Sequence, residues 1–337
     1  MRYSNLKTSI IEQFKAPRGN EVVPFITGAP GGGKSACARD ALAELGFTTE
    51  AGNLVEFIPS QRDPVDVLGT PNNNGEVTDW KPPREFYNLR AGTGPKALLI
   101  EELSDASTPM QNTMCQIIYD RAAGNLALTD QLFVVATGNR TQDKSGANRI
   151  IGKLLGRVRK FEYEESLDDW VTWALDNDID PIIIQFLRFR PGLLSAYDPN
   201  SQDNSPTPRN WERAALTPST LAPELYFENV KGDVGEGAAA ELTAFKRIYE
   251  KLPNIDAVLL DPKGSEVPDD PATLYALCGA LARKTTVDNF DRVLTYVGRM
   301  KPEFNVMTVR DGIKLKPELK KTRGFLEWGA KYAEVLT

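Results

Sequence analysis

Residues 22–40 read VVPFITGAPGGGKSACARD, and the fold turns on that stretch. Val22, Val23, Phe25 and Ile26 form a short apolar run with β-branched content, the pattern of a buried strand. Gly28-Ala29-Pro30-Gly31-Gly32-Gly33-Lys34-Ser35 fits G-x-x-x-x-G-K-[ST], and Ala36 opens a run of good helix formers, ACARDALAEL. Strand, glycine-rich loop and helix in that order are the setting the motif requires. A glycine-rich turn before an ordinary helix would have no need of the Lys-Ser pair.

The chemistry explains the spacing. A triphosphate is held by a concave ring of backbone N–H donors; glycines let the chain curl into that ring, and a helix beginning near Lys34 aims its positive dipole end at the anion. In that arrangement Lys34 reaches the β- and γ-phosphates and the Ser35 hydroxyl ligates Mg²⁺.

The next anchor is KALLIEEL, residues 96–103. Four apolar residues, Ala97 to Ile100, followed at once by Glu101 and Glu102, predict a central strand delivering two carboxylates at its C-terminal end, where ligands of open α/β sheets bind. Glu101 is placed to hold Mg²⁺ directly or through water, and Glu102 to polarise an attacking water. QLFVVA, residues 131–136, predicts another strand, and Thr137-Gly138-Asn139 ends it. Asn139 is either a turn residue or an amide that orients the hydrolytic water. Farther on, KLLGRVRKFEY places Arg157 and Arg159 where a helix meets a final strand. An arginine there reaches a γ-phosphate only in a neighbouring subunit, where it would neutralise transition-state charge.

Composition narrows the classes. The chain has 337 residues, 41% hydrophobic and 26% charged, as in a soluble globular protein of more than one domain. No apolar run reaches the length of a membrane span, and the first residues lack the pattern of a secretory signal, so neither is expected. Cys37, Cys115 and Cys278 are scattered and few, as in reduced thiols of the cytoplasm. The absence of histidine removes histidine base catalysis and most zinc sites. A net charge of −6 argues against nucleic-acid binding over the whole surface while leaving room for a local basic channel.

Around these anchors the chain predicts a helix over residues 5–15, a strand at 53–58, a Pro/Gly/Asn-rich excursion over 59–90 with hairpin character, and a helix over about 109–123. Beyond residue 164 the pattern is helical: short helices divided near Asp180-Pro181, a helix opening at Arg209 after Pro208, and an amphipathic helix over 232–252 with a glycine-rich entry. More helices follow, interrupted by a strand-like FNVMTV. Arg209, at a helix start, is expected to point back to the nucleotide. The expected organisation is an α/β nucleotide-binding core over 1–165, a helical lid over 166–252 and a mainly helical extension over 253–337.

These pieces in this order resemble AAA+ ATPases, and among them the MoxR-like branch of bacterial and phage genomes. SQRDPVDVLGTP, GNRTQ, PTPRNWE and GDVGEGAAAELTAF carry the finer resemblance. It is specific to about Trp211 and looser beyond. The resemblance implies an ATP-hydrolysing machine with Gly28 to Ser35 as the Walker A loop, Glu101 and Glu102 as the Walker B acids and Asn139 as sensor 1. It implies Arg157 as the arginine finger, with Arg159 and Arg149 as rivals, and Arg209 as sensor 2. One departure is notable: the family usually has Asp where Glu101 stands. The resemblance also implies a ring of the chain's own copies, usually six, an insertion supplied here by residues 59–90, and a client protein, in many members with a partner carrying a von Willebrand factor A domain.

Two other readings fit the same residues. A nucleic-acid motor or loader would need a basic pore, against the acidic balance. A nucleotide-gated assembly would follow if Glu101 in place of Asp made hydrolysis negligible.

Overall fold

In the structure, a computed structural model, every residue is described except 75, 144, 145, 147 and 337; side chains are described for all of these but 74, 77 and 333–336. The chain divides into two compact units, Met1–Ser166 with Tyr197–Asn200, and Leu167–Ala196 with the residues from Ser201 onward.

The first unit opens with α1 (Tyr3–Lys15), β1 (Val23–Gly28), α2 (Lys34–Glu44) and β2 (Leu54–Phe57). The excursion contains α3 (Val65–Leu68), a hairpin of β3 (Thr70–Asn74) and β4 (Val77–Lys81), and α4 (Arg84–Tyr87). Then come β5 (Lys96–Ile100), α5 (Thr108–Cys115), a small hairpin of β6 (Ala122–Ala123) and β7 (Leu126–Ala127), β8 (Leu132–Asn139), α6 (Gly152–Leu155) and β9 (Val158–Glu162). Five strands pair in parallel in the order β2-β5-β8-β1-β9.

Side-chain alternation explains why the central strands read as unbroken apolar runs. Leu98, Ile100, Val134 and Ala136 pack with Met110 and Met114 of α5 on one face, while Ala97, Leu99, Val135 and Ile26 pack with Leu6, Ile10 and Leu42 of α1 and α2 on the other. Both faces are covered, so both sets must be apolar.

One helix is shorter than its sequence predicts. The helix expected over 109–123 ends as α5, passes through a single π turn at Gln116–Asp120 and breaks at Arg121, whose φ is 52°. The Arg121 side chain turns inward to donate to the Asn20 carbonyl instead of continuing a helical face.

The second unit is helical: α7 (Leu167–Asp176), α8 (Pro181–Phe189), α9 (Pro208–Ala214), α10 (Pro223–Val234), α11 (Glu236–Glu250), α12 (Ile255–Leu260), α13 (Pro271–Lys284), α14 (Phe290–Val297), α15 (Pro302–Leu315) and α16 (Arg323–Leu336). The Asp180 carboxylate caps α8 by accepting from the Ile182 N–H at 2.8 Å, which is why the chain divides there. The residue pair 252 and 253, expected as a boundary, lies between α11 and α12 of this one unit. Leu252 and Tyr275 pack against both of its hydrophobic clusters.

Two expectations here are corrected. FNVMTV is not a strand but part of α15: Phe304, Asn305, Thr308 and Val309 are buried at helical spacing, and the Thr308 hydroxyl satisfies the Phe304 carbonyl at 2.7 Å. Pro302 in the first turn fixes the start of that helix. The amphipathic helix expected over 232–252 is divided at Gly235, whose φ of 84° ends α10 and admits α11. Among the described residues, no helix is long and apolar enough to cross a membrane.

Candidate functional site

The C-terminal ends of β1, β5 and β8 lie side by side, with Gly28 registered against Asn139 and Ile100 against Ala136. After Gly28 the chain turns through Gly31 (φ 71°) and Gly33 (φ 103°), backbone conformations that strain any residue with a Cβ. Gly33 precedes α2 with no side-chain cap, so the first-turn N–H groups face the loop. Two of the loop glycines have close neighbours: a Cβ on Gly28 would lie 3.0 Å from the Tyr163 carbonyl oxygen, and one on Gly32 would meet the end of the flexible Glu165 side chain, 2.1 Å from its Oε1. That Glu165 oxygen is buried and has no hydrogen-bond partner. Ala29, Pro30, Ser35 and Ala36 complete the loop and its helix start.

Lys34 is only 8% exposed and its ammonium is fixed at three points. It donates to the Ala29 carbonyl at 2.7 Å, the Gly28 carbonyl at 3.1 Å and Asn139 Oδ1 at 3.0 Å. Two residues expected in separate roles are thus in direct contact. Ser35, one residue on, is partly exposed, and its hydroxyl makes no hydrogen bond to a described residue. The donor set suits a phosphate-borne Mg²⁺, which needs one or two protein oxygens and takes the rest from phosphate and water. No group of three or more acidic or thiol ligands forms a separate metal site among the described residues.

The two acids after β5 have unlike surroundings. Glu101 extends the ladder, donating its N–H to the Phe57 carbonyl at 2.8 Å, and its carboxylate accepts from Arg39 Nη2. Arg39 Nε also donates to Glu56 Oε1 at 2.9 Å. Burial lowers the Arg39 pKa, but the hydrogen bond to Glu56 and the charges of Glu101 and Glu56 outweigh it and hold the pKa above its ordinary value. Glu102 sits at φ 52°, sparsely populated for a residue with a side chain, and its Oε2 accepts from Ser60 Oγ at 3.0 Å.

Ser104 and Asp105 are site residues that the motifs did not indicate. Ser104 Oγ accepts from the Asn139 N–H at 2.7 Å and donates to Asp105 Oδ1 at 2.7 Å, while Asn139 Nδ2 donates to Asp105 Oδ2 at 3.1 Å. Asn139 is therefore locked by an acceptor-only carboxylate on one side and an ammonium on the other, more than a turn residue requires. The only signal in sequence is two polar residues, Ser104 and Asp105, one position beyond the acid pair.

The arginines do not join this site within the first unit. Val158 registers with Val23, at the other end of β1 from Gly28. Val158 therefore lies roughly 17 Å along the strand direction from the loop, at about 3.3 Å per residue, and Arg157 precedes it at that far end. Its Nη1 donates to the Lys153 carbonyl at 2.7 Å, its guanidinium stacks 4.2 Å from the Tyr119 ring centroid, and its buried Nε has no partner. Arg159 is exposed and donates to Gln13 Oε1 at 2.9 Å; Arg149 is exposed ahead of α6. Arg209 belongs to the second unit, exposed in the first turn of α9.

The parallel sheet, its strand order, the phosphate loop after β1 and the acid pair after β5 define an α/β core with a P-loop, followed by a helical part. No protein-family profile matches the chain, and no curated protein matches it. Among solved structures it is similar to a proline-to-glycine mutant of RuvB from Thermotoga maritima, with 14% identity and a TM-score of 0.41 over 83% of this chain and 82% of that one. It is also similar to NtrX from Brucella abortus in complex with ATP, with 14% identity and a TM-score of 0.43 over 99% of this chain and 68% of that one.

Proposed function

We propose that the chain binds and hydrolyses ATP as a MoxR-like AAA+ machine, working as a ring-like assembly of its own copies to remodel a client protein. The observation that carries this reading is the three-point fixing of Lys34 between the loop carbonyls and Asn139, beside a strand end that presents Glu102. The loop N–H groups and Lys34 bind the β- and γ-phosphates. Ser35 and Glu101 are the residues that would hold Mg²⁺, which when bound neutralises phosphate charge. Glu102 orients and deprotonates the attacking water, and Asn139 positions it against the γ-phosphate.

Arg157 acts in trans in this scheme. Its place at the far end of β1 from its own loop supports a role toward a neighbour's nucleotide, and its packing on Tyr119, which is 64% exposed, puts it at a surface a neighbour can reach. Residues 166–252 would act as lid and carry Arg209 to the nucleotide, and 253–337 as a helical extension. A partner with a von Willebrand factor A domain belongs to the same reading, through the resemblance alone.

ATP turnover measured across a range of protein concentrations, with Arg157→Ala in parallel, tests the proposal. Specific activity should rise with concentration, and the variant should lose it while still binding ATP. Activity flat with concentration and indifferent to Arg157 would overturn the shared site.

One observation favours a second reading. Glu101 has an arginine partner, so the site is also compatible with ATP binding that locks an assembly with little turnover. Assembly driven by ATP in the unmodified protein, without phosphate release, would select it.

A further inference from the structure

Glu56 and Glu101 come from adjacent parallel strands and point the same way. Glu56 registers with Leu99, and Glu101 lies two residues beyond Leu99, so alternation puts both carboxylates on the face of the sheet that α2 covers. Arg39 of α2 spans them, Nε to Glu56 and Nη2 to Glu101. It is four residues after Ser35 and so shares that residue's side of the helix. A fixed guanidinium thus stands among the oxygen donors of the proposed cation site. Its planar fork holds the two carboxylates from separate nitrogens in a fixed geometry, which the compact, rotatable ammonium of a lysine would not impose.

We infer that Arg39 is a positioning residue that holds the Glu101 carboxylate and limits how strongly the site draws a divalent cation to bound nucleotide. The inference rests on the nucleotide reading above. The Glu101 carboxylate reaches its partner on α2 directly. With Arg39 in place the three groups carry one net negative charge; without it the two carboxylates face the cation uncompensated and draw it harder.

The test measures binding of a fluorescent ATP analogue in EDTA and across a Mg²⁺ titration, so that the ratio of the two dissociation constants reports how strongly Mg²⁺ and nucleotide favour each other. Arg39→Ala and the neutral, closer-sized Arg39→Gln should each raise that ratio by about threefold to fivefold, the scale of a half-exposed ion pair. In a Glu101→Gln background the same Arg39 substitutions should have a clearly smaller effect, because only the Glu56 carboxylate is then left without its partner. An unchanged ratio, or the same change with and without Glu101, overturns the inference. Lys34→Ala separates the two levels. If it abolishes binding while the Arg39 variants behave as wild type, only the inference fails; if the unmodified protein does not bind the analogue, the nucleotide reading fails and takes the inference with it.

Discussion

Ser60 Oγ donates to Glu102 Oε2 at 3.0 Å, joining the first residues of the excursion to the acid at the tip of the central strand. The residues after Ser60 lead through α3 into the β3/β4 hairpin. Ser60→Ala frees the carboxylate to turn toward the phosphate loop. Basal ATP turnover should rise by about two- to fivefold, the scale of one net hydrogen bond, with nucleotide affinity unchanged. A steady-state phosphate assay beside an equilibrium binding curve checks both halves, and a fall in turnover would mean that Ser60 holds Glu102 in its working position.

Glu102→Gln keeps the shape of the side chain and removes its capacity to take a proton. ATP should still bind, because the loop and Lys34 are untouched, and hydrolysis should fall by at least about a hundredfold, as for loss of a general base. Retained turnover in this variant would remove Glu102 from the chemistry and leave Asp105 as the acid to examine.

Asp105 holds Asn139 through Nδ2, and Ser104 holds its backbone N–H. That pairing turns Oδ1 toward Lys34. Asp105→Ala leaves the amide free to rotate, so the expected result is about tenfold slower turnover with little change in ATP affinity, matching Asn139→Ala in direction and falling short of it in size. The double variant should be no worse than Asn139→Ala alone, since the two act in series. Additive losses would show that Asp105 works independently.

The sheet is legible in sequence because two-sided burial forces whole apolar runs, and the phosphate loop because its glycines and lysine are contiguous. The rest of the site is assembled from distant positions. Ser60 is 42 residues from Glu102 and Arg39 is 62 from Glu101, and neither belongs to a local pattern. Asp105 lies close to the acids, but its role depends on Asn139, 34 residues away. FNVMTV misleads for the opposite reason: its β-branched content is local, whereas the packing around Phe304, Asn305 and Trp328, whose Nε1 donates to Asn305 Oδ1 at 2.7 Å, follows a helical period.

In the second unit, Arg188 and Asp311 join α8 to α15 through a two-pronged pair, with Arg188 Nη2 donating to Asp311 Oδ1 at 2.7 Å. The Asp311 side chain is 6% exposed and that of Arg188 15%, so removing either partner strands a charge in a dry place. Arg188→Ala should therefore cost about 3 kcal/mol of unfolding free energy, near the lower end for broken buried pairs. Replacing both residues with apolar ones of similar volume should recover most of it, because the pair's own net contribution is small once its desolvation is counted. Chemical denaturation of the full chain, followed by tryptophan fluorescence, reports the loss, since Trp170, Trp211 and Trp328 are buried in this unit. A double variant as unstable as the single one would show that the pair stabilises the helices beyond mere charge compensation.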